Sequence, residues 1–205
     1  MDFKLYLITD RRLFSDGHSL TAAIEEALKG GLQAVQLREK DLEVRELLRM
    51  AYRLKELTAG YEAKLFINDR VDVALAVEAD GVHLGGGSIP AFAARKAAGE
   101  GMLVGVSAHS LAEAQKAEEE GADFVTLGPV FDTPSKLKYG RPVGLGLLKE
   151  VSALMSIPVF AIGGIKKERV KDTLESGASG IALISAVLGS EDIQSNTEEF
   201  MRLLK

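Results

Sequence analysis

Two kinds of short apolar segment alternate along this chain, and the alternation limits what it can fold into. One kind runs Leu32 to Leu37, Ala79 to Leu84, Ala122 to Leu127 and Ala178 to Leu183. In each, a glycine or small residue ends a helical stretch and a short buried strand follows. The other kind runs Tyr6 to Asp10, Leu65 to Asp69, Val104 to Ala108 and Val159 to Gly164, each an apolar run that stops at a small or polar residue. Between them lie helical patterns. Leu20, Ile24 and Leu28 recur at i, i+4, i+8 behind Ser19, a natural N-cap, and a similar pattern fills Glu43 to Leu57. Ser110 to Glu120, Lys167 to Glu175 and Asn196 to Leu204 continue the series. Strict alternation of strand and helix implies right-handed βαβ units and parallel strands. Eight such units predict a single-domain (β/α)8 TIM barrel over residues 1–205.

A chain of 205 residues suffices for that barrel and can bury roughly 70% of its unfolded surface without staples. Cysteine is absent, which excludes disulfides, thiolate metal sites and a thiol nucleophile. The formal charge of −5, from 25 basic and 30 acidic residues, suggests neither nucleic acid nor an anionic membrane as a partner. Met1-Asp2-Phe3-Lys4 opens no signal peptide, and no run approaches the ~20 apolar residues of a membrane span. Met155 to Ile165 comes nearest and is broken by Pro158, Gly163 and Gly164. A cytoplasmic protein is expected. The lack of Cys and the presence of only two Asn would suit a thermophile. Exposed apolar positions on the outer helices would suit a homodimer.

Polar clusters sit at the ends of the strands: Gln36-Leu37-Arg38-Glu39-Lys40, Asn68-Asp69, Ser107-Ala108-His109 and Thr133-Pro134-Ser135-Lys136. In a parallel barrel such ends converge on one rim, where ligands bind. Cations, a carboxylate and small hydroxyls on one rim suit a phosphorylated small molecule. Gly163-Gly164, after the seventh strand, and Ile184-Ser185-Ala186, after the eighth, occupy the places where this fold commonly cups a phosphate. Gln36 and Arg38 alternate along one strand and so reach toward one ligand, although Glu39 and Asp41 also permit a solvated charge run. Asp69 could hold Mg2+, cap the helix that begins at Arg70, or both. His109 reads as a turn residue, His83 as a satisfied core histidine, and His18 carries no signal. The polar stretch from Val130 to Gly144 is long for a barrel loop and reads as an active-site lid.

Taken together, these residues resemble the thiamine phosphate synthase family over essentially the whole chain. The motifs that carry the resemblance are Gln-x-Arg-x-Lys, Asn-Asp before an Ala-Leu helix, Gly-Val-His-Leu-Gly, Gly-Val-Ser-x-His, Gly-Pro-Val-Phe-x-Thr-x-Ser-Lys and Ile-Gly-Gly-Ile. The family joins a hydroxymethylpyrimidine diphosphate to a thiazole phosphate and releases diphosphate with Mg2+. The resemblance assigns Gln36, Arg38, Lys40, Asn68, Ser107 and Lys136 to the pyrimidine diphosphate and Asp69 to the metal. It assigns Thr133, Ser135, Gly164, Ile184 and Ser185 to the thiazole phosphate. Arg38, Lys40, Lys136 and Ser107 would act on the reacting groups, and no protein nucleophile is implied.

The chain departs from the family pattern at one ligand. The second metal carboxylate falls where Gly86-Gly87-Ser88 stands, so Ser88 replaces it, and Asp132 is the acid that could compensate. A small polar residue at this place also resembles the related thiazole tautomerases, which isomerise a thiazole carboxylate phosphate by proton transfer. Their catalytic His, however, falls at Pro129. For proton transfer the candidates would be Ser107 and His109. A non-catalytic phosphate-ligand-binding barrel is the third expectation.

Overall fold

The computed structural model describes residues 1–14, 19–133 and 142–205. Its strands are β1 (Leu5–Ile8), β2 (Ala34–Leu37), β3 (Lys64–Asn68), β4 (Gly81–Leu84), β5 (Leu103–Ala108), β6 (Phe124–Leu127), β7 (Val159–Ile162) and β8 (Gly180–Leu183). They pair in parallel, in sequence order, and β8 closes onto β1. Helices α1 (Leu20–Lys29), α2 (Val44–Ala59), α3 (Val71–Ala76), α4 (Ala91–Ala98), α5 (Leu111–Glu119), α6 (Gly144–Leu154) and α7 (Val170–Glu175) alternate with the strands. Past β8 come α8 (Ser185–Leu188) and α9 (Ile193–Leu203). The expected (β/α)8 barrel is therefore the fold observed.

The local signals mostly act as expected. Ser19 accepts from Ala22 N–H at 3.2 Å, and Ser110 from Glu113 N–H at 3.2 Å, so both cap the helices that follow them. Two boundaries differ. Lys167–Arg169 forms a 3-10 turn before α7. The last helix begins at Ile193 rather than at Asn196, because Asp192 caps it by accepting from Ser195 N–H at 2.8 Å.

Two apolar layers hold the molecule together. Outward-facing strand residues such as Leu7, Val35, Leu65 and Val82 pack against the helices. Inward-facing residues form a second cluster of Phe3, Tyr6, Phe66, Phe124 and Phe160 with small neighbours. Strand register explains how five rings fit inside a narrow tube. Tyr6 lies beside Ala34, Phe66 beside Gly81, Phe124 beside Gly105 and Phe160 beside Gly180. A Cβ on Gly81 would stand 2.3 Å from the Phe66 ring, and one on Gly105 2.4 Å from Phe124. Each large side chain thus uses the space its neighbour leaves empty, and the rings meet edge to face, as at Phe66–Phe124 (5.5 Å, 81°).

Side chains two residues apart on a strand share a face, so the next inward layer is set by counting two from the first. That step leads from Ala34 to Gln36, from Phe66 to Asn68, from Gly81 to His83, from Gly105 to Ser107 and from Phe124 to Thr126. An aromatic floor therefore lies directly beneath a polar layer at the C-terminal ends of the strands.

Candidate active site

The polar layer is hydrogen-bonded as one unit. Gln36, 1% exposed, donates from Nε2 to the Tyr6 hydroxyl at 3.0 Å. The Tyr6 hydroxyl lies 3.3 Å from His83 Nδ1, and His83 Nε2 lies 3.0 Å from Ser107 Oγ. Thr126 Oγ1 is within 3.4 Å of both His83 Nε2 and Ser107 Oγ. With Gln36 donating to the Tyr6 oxygen, the Tyr6 proton goes to His83 Nδ1, and His83 Nε2–H donates to Ser107. Burial lowers the His83 pKa to about 3, so the ring is neutral and can hold this tautomer. The Ser107 oxygen accepts from His83 in this tautomer, with the Thr126 hydroxyl beside it. His83 is thus the satisfied core histidine expected, and it also orients a site hydroxyl, which its apolar neighbours in sequence conceal.

Beyond the layer, β2 and β3 carry the charged groups. Lys40 Nζ reaches to 3.6 Å from Asp69 Oδ2. Asp69 sits just past β3 with φ +61°, a conformation that turns its side chain away from the line of the strand. Its Oδ2 accepts from Asn68 Nδ2 at 2.8 Å, and its Oδ1 accepts from the Ser88 hydroxyl and from Gly85 N–H at 3.4 Å. Burial works to raise the Asp69 pKa. The Ser88 hydrogen bond, the Lys40 charge and the Gly85 and Asn68 donors outweigh it and hold the carboxyl below its ordinary value. The capping role considered for Asp69 is not seen: α3 starts after Arg70, and the Asp69 carboxylate faces Ser88 and Asn68 instead.

The reading of Glu39 as part of a solvated charge run is also corrected. Its side chain is only 2% exposed, and both carboxylate oxygens accept from Arg11 N–H, at 3.1 and 3.2 Å. Asp41 pairs with the Arg11 guanidinium at 2.8 Å. Arg38, half-buried, has its backbone N–H on Thr9 Oγ1 at 2.9 Å.

Across the rim, the loops after β6, β7 and β8 enclose a cavity of about 310 Å³ lined by Asp132, Thr133, Gly163, Gly164, Ile184 and Ser185. Gly163 and Gly164 have φ +98° and +65°, and a Cβ on Gly164 would stand 2.5 Å from Asp132 O. A side chain at either glycine would run into Pro129 or into Phe131 and Asp132, so glycine here lets the loops after β6 and β7 pack closely together. Arg169 steadies the turn by donating to Gly164 O at 2.7 Å and by stacking on Phe131, 4.6 Å from the ring centre. Asp132 belongs to this cavity, whereas Asp69 and Ser88 follow β3 and β4.

The geometry therefore gathers Gln36, Arg38, Lys40, Asn68, Asp69, Ser88 and Ser107 over β2 to β5, and Thr133, Gly164, Ile184 and Ser185 over β6 to β8. Ser135, Lys136 and most of the expected lid, and His18, lie outside the described residues. His109 is exposed, with its N–H on Glu113 Oε2 at 2.7 Å, as a turn residue would be. Among the described residues no helix is long and apolar enough to cross a membrane.

The family described as "Thiamine monophosphate synthase" matches residues 5–187. The thiamine-phosphate synthase of Clostridium novyi is 47% identical over 194 residues, covering 95% of each chain. That of Halalkalibacterium halodurans is 43% identical over 204 residues, covering 100% of this chain and 96% of its own. Among solved structures, thiamine phosphate pyrophosphorylase from Pyrococcus furiosus superposes with a TM-score of 0.90 at 43% identity, over 98% of this chain and 95% of that one.

Proposed function

The chain belongs to the thiamine monophosphate synthase family and is a transferase of the thiamine-phosphate synthase type, and from that premise we propose how its residues divide the work. The substrates are a hydroxymethylpyrimidine diphosphate and a thiazole phosphate, joined with release of diphosphate. One observation carries the division of labour. Lys40 and the ionised Asp69 lie together past β2 and β3, and the glycine-lined cavity lies over β6 to β8.

Arg38, Lys40 and Lys136 bind the diphosphate, Arg38 as a fixed fork and the lysines as mobile charges. Asn68, by holding Asp69 Oδ2, keeps the metal carboxylate aligned. Gln36 and Ser107 contact the pyrimidine. Thr133, Ser135, Gly164, Ile184 and Ser185 receive the thiazole phosphate. The bond from the pyrimidine methylene to the diphosphate oxygen breaks, and its electron pair leaves with diphosphate. The aminopyrimidine stabilises the resulting cation, and the thiazole nitrogen donates the pair that forms the new C–N bond. Arg38 and Lys40 neutralise charge that grows on the leaving group, an electrostatic stabilisation that lowers the barrier.

The residues fit Mg2+ in the mode where one carboxylate and substrate phosphates share the ion. Among the described residues no group of three or more His, Asp or Glu could hold a metal alone, and this mode needs none. Asp69 would hold the ion with Ser88 beside it, and bound Mg2+ would supply further charge neutralisation at the departing diphosphate. Residues 1–205 form one catalytic domain in this reading, acting in the cytoplasm on small phosphorylated molecules, with a homodimer as its assembly.

The test is a coupled assay for diphosphate release. Activity is expected only with both substrates, lost with EDTA and restored by Mg2+, and Lys136→Ala is expected to abolish it. Metal-independent turnover of a thiazole carboxylate phosphate alone, or saturable binding without product, would overturn the proposal.

A further inference from the structure

The acidic residues that interrupt the cation motif of β2 alternate with the cations in their partners as well as in sequence. Arg38 and Lys40 lie at the mouth. Glu39 and Asp41 instead face the 3-10 turn Arg11–Leu13 that follows β1. Glu39 is buried at the rim, and the reaction has no use for it as an acid or base. Its two oxygens accept from Arg11 N–H at 3.1 and 3.2 Å. One residue earlier, the Arg38 backbone N–H donates to the hydroxyl of the fully buried Thr9 at 2.9 Å. The end of β1 and the turn after it therefore hold two successive residues of the segment that carries the cations.

We propose that Glu39 is a positioning residue that fixes the backbone between Arg38 and Lys40, and so sets where the two cations meet the diphosphate. It rests on the reading above that Arg38 and Lys40 bind diphosphate.

The physical reasoning is direct. β2 ends at Leu37, so the segment carrying both cations has no strand partner to hold it. A carboxylate accepts on both oxygens, which suits an Arg11 N–H within reach of both, and the Arg11 guanidinium stands 3.7 Å away. Thr9 holds the neighbouring Arg38 N–H independently. An amide in place of the carboxylate keeps the shape but accepts at one oxygen only and offers Arg11 no charge, so the tie to the turn after β1 weakens. Burial raises the Glu39 pKa, which marks this carboxylate as held in place at a cost. Preorganised cations lose affinity steeply when the backbone beneath them is free to shift.

The experiment uses the full chain. Inorganic diphosphate with Mg2+ is titrated calorimetrically into the native protein and into Glu39→Gln, Glu39→Asp, Thr9→Val and Arg38→Ala. KM for each substrate, kcat and the thermal midpoint are measured alongside. Glu39→Gln and Thr9→Val are each expected to weaken diphosphate binding and raise KM for the pyrimidine diphosphate about tenfold, with KM for the thiazole phosphate unchanged. Glu39→Asp is expected to recover part of the loss. A lowered thermal midpoint with native diphosphate affinity, or equal rises in both KM values, would overturn the positioning role. Arg38→Ala separates the two layers of the argument. If it binds diphosphate as the native protein does, the cation reading itself fails. If it binds weakly while Glu39→Gln does not, only the role of Glu39 fails.

Discussion

The Ser88 hydroxyl donates to Oδ1 of Asp69, which ties the loop after β4 to the end of β3. A neutral side chain thus braces the carboxylate at the place where the family pattern has a second acid. The brace lowers the Asp69 pKa and adds no charge of its own.

Replacing Ser88 by Asp supplies that charge. Carboxylates that touch the metal matter at least as much to its affinity as the groups that hold them, whose loss costs about 10–100-fold. Ser88→Asp is expected to lower the Mg2+ concentration giving half-maximal diphosphate release by about tenfold or more. Without metal, two facing carboxylates repel, so its thermal midpoint is expected to fall and then recover on adding Mg2+. An unchanged Mg2+ requirement would count against Asp69 as the metal-binding group.

Gly164→Ala probes the opposite side of the mouth. The position combines φ +65° with a backbone oxygen 2.5 Å from where the Cβ must go. The substitution is expected to cost about 1–3 kcal/mol of stability, read from urea denaturation. It is also expected to raise KM for the thiazole phosphate and leave that for the pyrimidine diphosphate alone. If both KM values move together, the two subsites are not separate.

His83 gives stability a pH dependence whose sign follows from its burial. Folded, it titrates at about 3; unfolded, near the ordinary histidine value of 6.5. Between those values the unfolded chain binds one more proton than the folded one, so stability falls as pH is lowered from 6.5 toward 3. The slope from this group is about 1.4 kcal/mol per pH unit. Denaturation at pH 7, 6 and 5 should show it, and His83→Gln should remove about one proton's worth of slope. A slope unaltered by the substitution would show that His83 is charged in the folded protein.

The ring layer makes a packing prediction. A Cβ on Gly105 would lie 2.4 Å from the Phe124 ring and 2.7 Å from His83 Nδ1. Gly105→Ala is expected to destabilise by about 1–3 kcal/mol through overpacking. Adding Phe124→Leu should recover part of that loss. If the double variant is less stable than either single one, the two positions do not share one space.

The barrel was legible in the sequence because its strands are short, buried on both faces and spaced by helical repeats. Such a pattern survives being read one segment at a time. Gln36 was legible as an inward strand residue from its spacing, whereas Arg38 and Lys40 lie past the end of β2, where alternation no longer fixes a side chain's direction. For Glu39 the sequence permitted a solvated acid, since its type and spacing match one, and only the folded turn after β1 reveals the N–H it accepts from. Asp69 was placed correctly at a strand end, but its positive φ, which turns it from the α3 terminus toward Ser88, has no local sequence signal. The chain from Tyr6 through His83 to Ser107 joins β1, β4 and β5, and a contact across three strands cannot be read from any one of them. α9 was begun late because its buried face, Ile193, Thr197 and Phe200, carries a threonine where the apolar spacing would have extended the helix back to its cap at Asp192.

The five rings beneath the polar layer stopper the tube. Whatever arrives over β2 to β8 has no back door, and it must return the way it came. Two reactants and two products then share one entrance.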